Sequence, residues 1–114
     1  MDISIQGYDT KFVTMRADEG CKKGSAATIT QNGTVGPCTS GAFIGFIAGV
    51  VGDYALVQTS GAVSVPYSGT APALGYTTLK ADANGGIAAL GEGESAGRAV
   101  TVVSAENGAA TIIL

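Results

Sequence analysis

Three Asn-Gly pairs constrain the fold of this chain more than any other feature. They are Asn32-Gly33, Asn84-Gly85 and Asn107-Gly108, and each lies between short runs of Thr, Val, Ile and Ala. Asn-Gly is the preferred filling of a two-residue type I′ turn, because both central residues of that turn need a positive φ. The three pairs therefore predict three tight hairpins between antiparallel strands.

Strand-like segments occupy most of the remaining sequence. Ile3 and Ile5 alternate with polar residues, and Val63, Val65 and Tyr67 share one face of an extended segment. We count about eight to ten short strands, a number that fits a small barrel or sandwich. The sequence predicts an all-β fold, a small antiparallel β-barrel or barrel-like sandwich with little or no helix. No repeat of the propeller or solenoid kind is visible.

The length of 114 residues predicts a single β domain covering residues 1–114, with residues 1–17 assigned to an N-terminal strand or arm. A charged fraction of 13% with 46% hydrophobic residues argues against disorder. Many of the apolar residues are alanines, so we expect a thin core that gains from further burial at subunit contacts.

The segment Phe43–Val51 is the most apolar part of the chain. If it is extended, Phe43 and Ile47 point to one side, while Ile44 and Phe46 point to the other. Because both faces are apolar, we expect the core to cover one face and a second surface to cover the other.

Candidate catalytic residues are scarce. The chain contains no histidine, which excludes a Ser-His-Asp triad, a Cys-His pair and an imidazole metal site. Glu92 and Glu94 lie in a glycine-rich loop, where we interpret them as solubilising charge. The segment Asp82–Gly86 begins like a calcium loop but lacks the later glutamate, so we predict a turn. We predict no catalytic residue, no metal and no cofactor, and we do not expect an enzyme.

Charge and cysteine usage limit the partners and the compartment. A net charge of −3 without a basic stripe argues against nucleic-acid binding. The first residues lack a basic region followed by an apolar one, and the apolar stretch Ala42–Gly52 is too short to span a bilayer. We therefore expect synthesis in the cytoplasm, no membrane partner, and Cys21 and Cys38 as free thiols.

Several glycine-spaced motifs follow one another in an order that is found in a known family. From Glu19 to the C-terminus they are Glu19–Gly24, Phe43–Ile47, Gly52–Val65, Pro72–Leu79, Gly85–Ile87 and Gly97–Val103. In these motifs the chain resembles the small β-barrel head decoration proteins of tailed bacteriophages and prophages. It departs from them after Gly75, where Tyr76 replaces the usual acid or asparagine.

The resemblance implies a structural virion protein, made in the host bacterial cytoplasm, that binds the outside of an assembled capsid. Members of the family commonly form trimers and clamp neighbouring coat subunits, so the implied partners are other copies of the chain and the major capsid protein. Residues 66–75 contain two prolines and two glycines, so we expect a surface loop there, opened by Tyr67. Aromatic residues on such loops are frequent interface anchors. We predict that the oligomer or capsid interface contains Phe43, Phe46, Tyr67, Pro72 and Leu74.

Three other functions remain open at this stage. A carbohydrate- or receptor-binding virion module needs exposed aromatic residues, but the chain has no Trp and only 6% aromatic residues. A tail or connector component of a phage is compatible with the same sequence. An enzyme is disfavoured by the missing histidine, since that residue most often supplies acid–base function.

Overall fold

The computed structural model describes residues 11–114, and every structural statement below concerns these residues. They contain ten β-strands and no helix, so the predicted all-β fold is confirmed. The strands are β1 (Lys11–Ala17), β2 (Ala26–Gln31), β3 (Thr34–Pro37), β4 (Gly45–Val51), β5 (Tyr54–Ser60), β6 (Ala62–Ser68), β7 (Gly75–Ala81), β8 (Ile87–Ala89), β9 (Arg98–Glu106) and β10 (Ala109–Ile113). The strand predicted around Ile3 and Ile5 lies outside the described residues.

The strands form two closed barrels of five strands each. Barrel 1 has the order β1-β3-β2-β4-β5, and barrel 2 has the order β6-β8-β7-β9-β10. In each barrel the first strand runs parallel to the third, and every other neighbouring pair is antiparallel. Closure pairs the strand edges that an open sheet would leave free for aggregation.

The two barrels are copies of one topology, and their last hairpins share the same register. The equivalent cross-strand pairs are Ile47–Val57 with Val102–Ile112, Gly49–Leu56 with Ser104–Thr111, Val50–Ala55 with Ala105–Ala110 and Val51–Tyr54 with Glu106–Ala109. A one-residue bulge interrupts both hairpins at the same place, at Ala48 and at Val103. The chain therefore contains a duplicated five-stranded unit, a kind of repeat that the sequence analysis did not identify.

The three Asn-Gly pairs lie in hairpin turns, as predicted, but only one forms the predicted turn type. Asn107 has φ 55° and Gly108 has φ 80°, as type I′ requires. In the other two pairs only the glycine has a positive φ, so the type I′ prediction is wrong there. In the second turn the Asp82 carboxylate accepts hydrogen bonds from the N–H groups of Asn84 (2.8 Å) and Gly86 (2.9 Å), which fixes a different backbone path.

The two barrels have cores of unequal size. The core of barrel 1 consists of small and medium-sized side chains from its own strands: Ala27, Val35, Ile47, Ala55 and Val57. The core of barrel 2 contains Val65, Leu79, Ala81, Ile87, Val100, Val102, Ala110 and Ile112, together with Ala26, Cys38, Phe43 and Phe46 from the first half of the chain. The thin core predicted from the alanine content is therefore confined to barrel 1.

A shared contact, which we call the seam, joins the two barrels. It is formed by Ala26, Cys38, Phe43 and Phe46, which pack against the core of barrel 2. The rings of Phe43 and Phe46 lie 5.1 Å apart, and strand β4 sends Ile47 into barrel 1 but Phe46 towards barrel 2. The second surface expected for this doubly apolar strand is therefore the other barrel of the same chain.

Hydrogen bonds reinforce the seam. The N–H of Ala26 donates to the carbonyl of Gly85 (2.8 Å), and the N–H of Ala81 donates to the carbonyl of Gly41 (2.9 Å). The half-buried guanidinium of Arg98 donates to the carbonyls of Ile44 and Thr59, the latter at 3.0 Å. These bonds run from β9, β7 and the β7–β8 turn to barrel 1, so the barrels are held by polar as well as apolar contacts.

The ends of the described chain meet at the link between the barrels. Lys11 pairs with Ser60 at the end of β5. The N–H of Leu114 donates to the carbonyl of Gly61 at 2.9 Å. The first described residue and the last residue of the chain therefore both lie beside the Ser60-Gly61 link.

Candidate contact surface

A row of large apolar side chains lies on the outside of barrel 1. This surface, the β1–β5–β4 face, consists of Phe12, Val51, Tyr54 and Leu56, with 47%, 82%, 51% and 39% of their surface exposed. Arg16, Tyr54 and Val51 lie side by side across the three strands, and the Arg16 guanidinium stands 5.8 Å from the centre of the Tyr54 ring. The ring is therefore held in place by a cation–π contact, while its outer side stays open.

Barrel 2 shows that the fold does not require apolar residues at these positions. Its equivalents of Val51, Tyr54 and Leu56 are, in the same order, Glu106, Ala109 and Thr111. The same topology therefore accepts a charged, a small and a polar residue on this face. A contiguous exposed apolar surface that the fold does not need is typical of an interaction site.

A second exposed apolar surface lies on barrel 2. This surface, the β7–β9 face, consists of Leu74, Tyr76 and Val103, which are 69%, 80% and 39% exposed. Tyr76 pairs with Thr101 and Gly75 pairs with Val102, so the three side chains follow the junction of β7 and β9.

The structure separates the five residues that the sequence predicts as contact residues. Phe43 and Phe46 are each 2% exposed and belong to the seam, so no surface of theirs is left for a partner. Pro72 is buried, and Tyr67 packs partly buried against the core of barrel 2. Leu74 is the exposed member of the set and lies on the β7–β9 face.

Tyr67 does not open a loop, because β6 continues through Pro66 to Ser68. It pairs with Ile87, and its N–H donates to the carbonyl of Gly108 at 3.0 Å. The expectation that residues 66–75 form a surface loop is therefore wrong for residues 66–68, which belong to β6, and for Gly75, which begins β7. The backbone of Tyr67 joins the β-sheet because β8 runs parallel to this end of β6.

None of the residues of the β1–β5–β4 face is among the contact residues predicted from the sequence. The available signal was in β5, where Tyr54 and Leu56 alternate with the buried Ala55 and Val57, so that both faces of the strand are apolar. We interpreted the same signal in β4 as a covered strand. A strand with apolar residues on both faces has the same sequence pattern whether its outer face is covered by another barrel or exposed. The pattern alone therefore does not distinguish the two cases.

Charged side chains stabilise the loop of Glu92 and Glu94 and the turn Asp82–Gly86 by hydrogen bonds within them and to neighbouring strands. Lys80 Nζ donates to the Glu94 carboxylate at 2.7 Å, and the N–H of Gly91 donates to the same oxygen. The hydrogen bond from Lys80, with that from Gly91, lowers the pKa of the Glu94 carboxyl below its ordinary value. The second Asp82 oxygen accepts from the Ser68 hydroxyl at 2.9 Å.

A groove of about 550 Å³ lies beside these loops, where the two barrels meet. Its polar lining includes Thr39, Ser40, Ser68, Lys80, Asp82 and Glu94. The charged groups in it are already paired with each other or with turn backbone, an arrangement typical of structural loops. Among the described residues, no three His, Cys, Asp or Glu side chains come together as metal ligands. Residues 11–114 also contain no helix long and apolar enough to cross a membrane.

Cys21 and Cys38 are free thiols that donate to nearby carbonyls. The Cys21 thiol lies 3.5 Å from the carbonyl of Val35, and the Cys38 thiol lies 3.2 Å from that of Ser40. Burial raises the pKa of both thiols. A raised pKa lowers the thiolate fraction, so neither site favours nucleophilic chemistry.

Comparison with known proteins finds no family model, curated protein or solved structure that matches this chain. The molecule is therefore defined by its own architecture, a duplicated five-stranded barrel with two exposed apolar faces.

Proposed function

We propose that this chain is a structural virion protein that decorates and stabilises an assembled phage capsid as an oligomer. In this proposal the β1–β5–β4 face contacts the coat subunits on the capsid exterior. The chain acts as a rigid clamp, without catalysis or a cofactor.

The observation that carries the proposal is the difference between the same face in the two barrels. Val51, Tyr54 and Leu56 on barrel 1 stand where barrel 2 has polar or small residues. An apolar face rimmed by polar groups suits a large protein surface. Repetition of the contact over a symmetric shell multiplies a weak individual affinity into a large total one.

The test is to co-produce the chain with the major coat protein encoded in the same genome, and to separate the assembled shells on a density gradient. We expect the chain to sediment with the shells and to raise the temperature at which they open. If the chain stays at the top of the gradient while intact shells sediment, the proposal fails.

Tyr54→Asp provides the matched variant, because it places a charge in the middle of the β1–β5–β4 face. We expect this variant to fold but to be lost from the shells. Ala109→Asp places the same charge at the equivalent position of barrel 2 and should leave shell binding unchanged.

A further inference from the structure

The three Asn-Gly turns differ in how firmly the glycine nitrogen is held. In the turn at Asn84-Gly85 the N–H of Gly85 donates to the carbonyl of Asp82 at 3.3 Å. The carboxylate of Asp82 accepts from the N–H groups on both sides, those of Asn84 (2.8 Å) and Gly86 (2.9 Å). A Cβ atom at Gly85 would stand 3.0 Å from the hydroxyl oxygen of Ser25. This turn is therefore fixed by bonds from successive N–H groups and has little free space.

The turns at Asn32-Gly33 and Asn107-Gly108 are open in comparison, and all four of their residues are exposed. Within residues 11–114 the N–H groups of Gly33 and Gly108 donate no hydrogen bond. Apart from their chain neighbours, no heavy atom lies within 4 Å of the place that a Cβ atom would take at either glycine. The carbonyl oxygens do not distinguish the turns, because all three glycines accept a hydrogen bond from a neighbouring segment. The turns therefore differ at the nitrogen.

That nitrogen is a nucleophile towards the asparagine side chain before it. The glycine nitrogen gives up its proton to solvent and forms a bond to the asparagine Cγ. The bond from Cγ to the side-chain nitrogen breaks, and this nitrogen takes a proton from solvent and leaves as ammonia. Water then opens the cyclic imide at either of its carbonyls, which leaves aspartate or isoaspartate. Glycine favours the attack because it has no Cβ to obstruct it, but an N–H that already donates a hydrogen bond must first be released.

We propose that Asn32 and Asn107 are sites of spontaneous deamidation in the folded chain, and that the Asp82 carboxylate protects Asn84 from the same reaction. Each conversion replaces a neutral amide by a carboxylate at the tip of a hairpin, and it makes the net charge of −3 more negative by one elementary charge. Conversion to isoaspartate also adds a methylene group to the main chain of the turn. This modification is separate from the proposed capsid role and does not depend on it.

The cost of opening each turn supports this difference between the sites. Ring closure needs a rotation about the asparagine ψ, which displaces the glycine nitrogen from its place in the turn. At Asn84 this rotation breaks the hydrogen bond from the N–H of Gly85 and disturbs those that the Asp82 carboxylate accepts. Because each of these bonds stabilises the closed turn, the reactive geometry is reached less often there than in the two exposed turns.

The first test follows the wild-type chain in mildly alkaline buffer made with heavy-oxygen water, both folded and unfolded in urea. Peptide mass spectrometry then measures the heavy oxygen that each asparagine site has taken up from the solvent. We expect Asn32 and Asn107 to convert in the folded chain within about threefold of their unfolded rates, since exposed turns open at little cost. Asn84 should convert about 30-fold more slowly when folded, the factor for first breaking two hydrogen bonds of ordinary net strength. Protection of either open turn as strong as that of Asn84 overturns the inference.

The second test removes the protecting carboxylate. Asp82→Ala should speed the conversion of folded Asn84 by about tenfold, because two N–H groups of the turn lose their acceptor, and it should leave Asn32 and Asn107 unchanged. Ser68→Ala is the matched control: it removes only the hydroxyl that donates to the other Asp82 oxygen at 2.9 Å, so Asn84 should stay protected.

Circular dichroism and thermal melting establish that these variants fold. Asp82→Asn keeps an acceptor oxygen at the same position and should restore most of the protection of Asn84. A folded Asp82→Ala chain that protects Asn84 as well as the wild type does would refute the role of the carboxylate. The first test needs no variant, so it decides the ranking of the three sites even if Asp82→Ala does not fold.

Discussion

Glycine is required at Gly45 because the backbones of β4 and β5 come into contact there. A Cβ atom at this position would stand 2.0 Å from the carbonyl oxygen of Gln58 and 2.9 Å from its carbon. Backbone atoms cannot rotate away as a side chain can. Four residues further along the same strand, Gly49 has no such neighbour.

We expect Gly45→Ala to lower the free energy of unfolding by about 3 kcal/mol or more, because the strands must separate to admit the methyl group. Gly49→Ala is the matched control, with an expected change of less than about 1 kcal/mol, neutral or stabilising. Urea unfolding of both variants measures the difference. Equal effects would show that the close approach at Gly45 is not maintained in solution.

The two thiols make stability depend on pH in the alkaline range. Their folded pKa lies above the ordinary value of 9.0, because burial disfavours the thiolate. The stability that the protonated thiols contribute is therefore fully present below pH 9.0, and it is lost as the pH rises through the folded pKa. We expect the urea concentration at the unfolding midpoint to decrease at pH values above the ordinary thiol pKa of 9.0. The double variant Cys21→Ser, Cys38→Ala should lose less midpoint over the same pH range, and an identical loss would contradict the assignment to the thiols.

At the scale of the elements, Arg98, the first residue of β9, connects barrel 2 to barrel 1 at the residue before β4 and at strand β5. Its guanidinium donates to two carbonyl groups, and burial lowers its pKa without removing its charge. A planar fork with several donors suits the two carbonyls of Ile44 and Thr59 on neighbouring segments, which a shorter or apolar side chain cannot reach together.

We expect Arg98→Met to cost about 1.5–3 kcal/mol of stability, the usual worth of a hydrogen bond to a charged group, because both carbonyls lose their donor. Arg16→Met is the control: it removes an exposed cation–π contact and should cost less than about 1 kcal/mol. Thermal unfolding monitored by circular dichroism provides the measurement. A loss for Arg16→Met that equals or exceeds the loss for Arg98→Met would refute the bridging role.

The elements themselves could be predicted from the sequence to a large extent, and their arrangement could not. Asn-Gly pairs, alternating Val63 and Val65 and the apolar run in β4 placed hairpins and strands correctly. The turn type failed at Asn84 because the side chain of Asp82 competes with the backbone preference of Asn-Gly. The fate of Phe46 and Tyr54 could not be decided, since a doubly apolar strand gives the same sequence pattern under another barrel as on an open face.

On the scale of the whole molecule, the duplication is invisible in residue identity because the two barrels share strand order and the register of their last hairpins, and not side-chain identity. Ile47 and Val102 fill the same interior position, whereas Tyr54 and Ala109 share an outward one where nothing is buried. A barrel repeat therefore leaves a trace in strand order and bulge position, which only coordinates reveal. The contact surfaces follow from this comparison, so most of the candidate site lay beyond sequence reasoning.

The unequal cores predict unequal local stability. Barrel 1 has a cluster of five small or medium buried side chains, whereas the cluster of barrel 2 has twelve, including both seam phenylalanines. We expect amide hydrogens of β1 and β5 to exchange faster than those of β9 and β10, because opening barrel 1 exposes less apolar surface. Hydrogen exchange read by mass spectrometry resolves the two halves. Uniform protection would indicate that the seam makes both barrels open only together.

The meeting of Lys11, Leu114 and the Ser60-Gly61 link has a topological consequence. With residues 1–10 removed, a short peptide joining Leu114 to Lys11 and a new start at Gly61 would exchange the order of the two barrels without breaking a strand. Such a circular permutant should reach the native fold, with the former interior link serving as both of its termini.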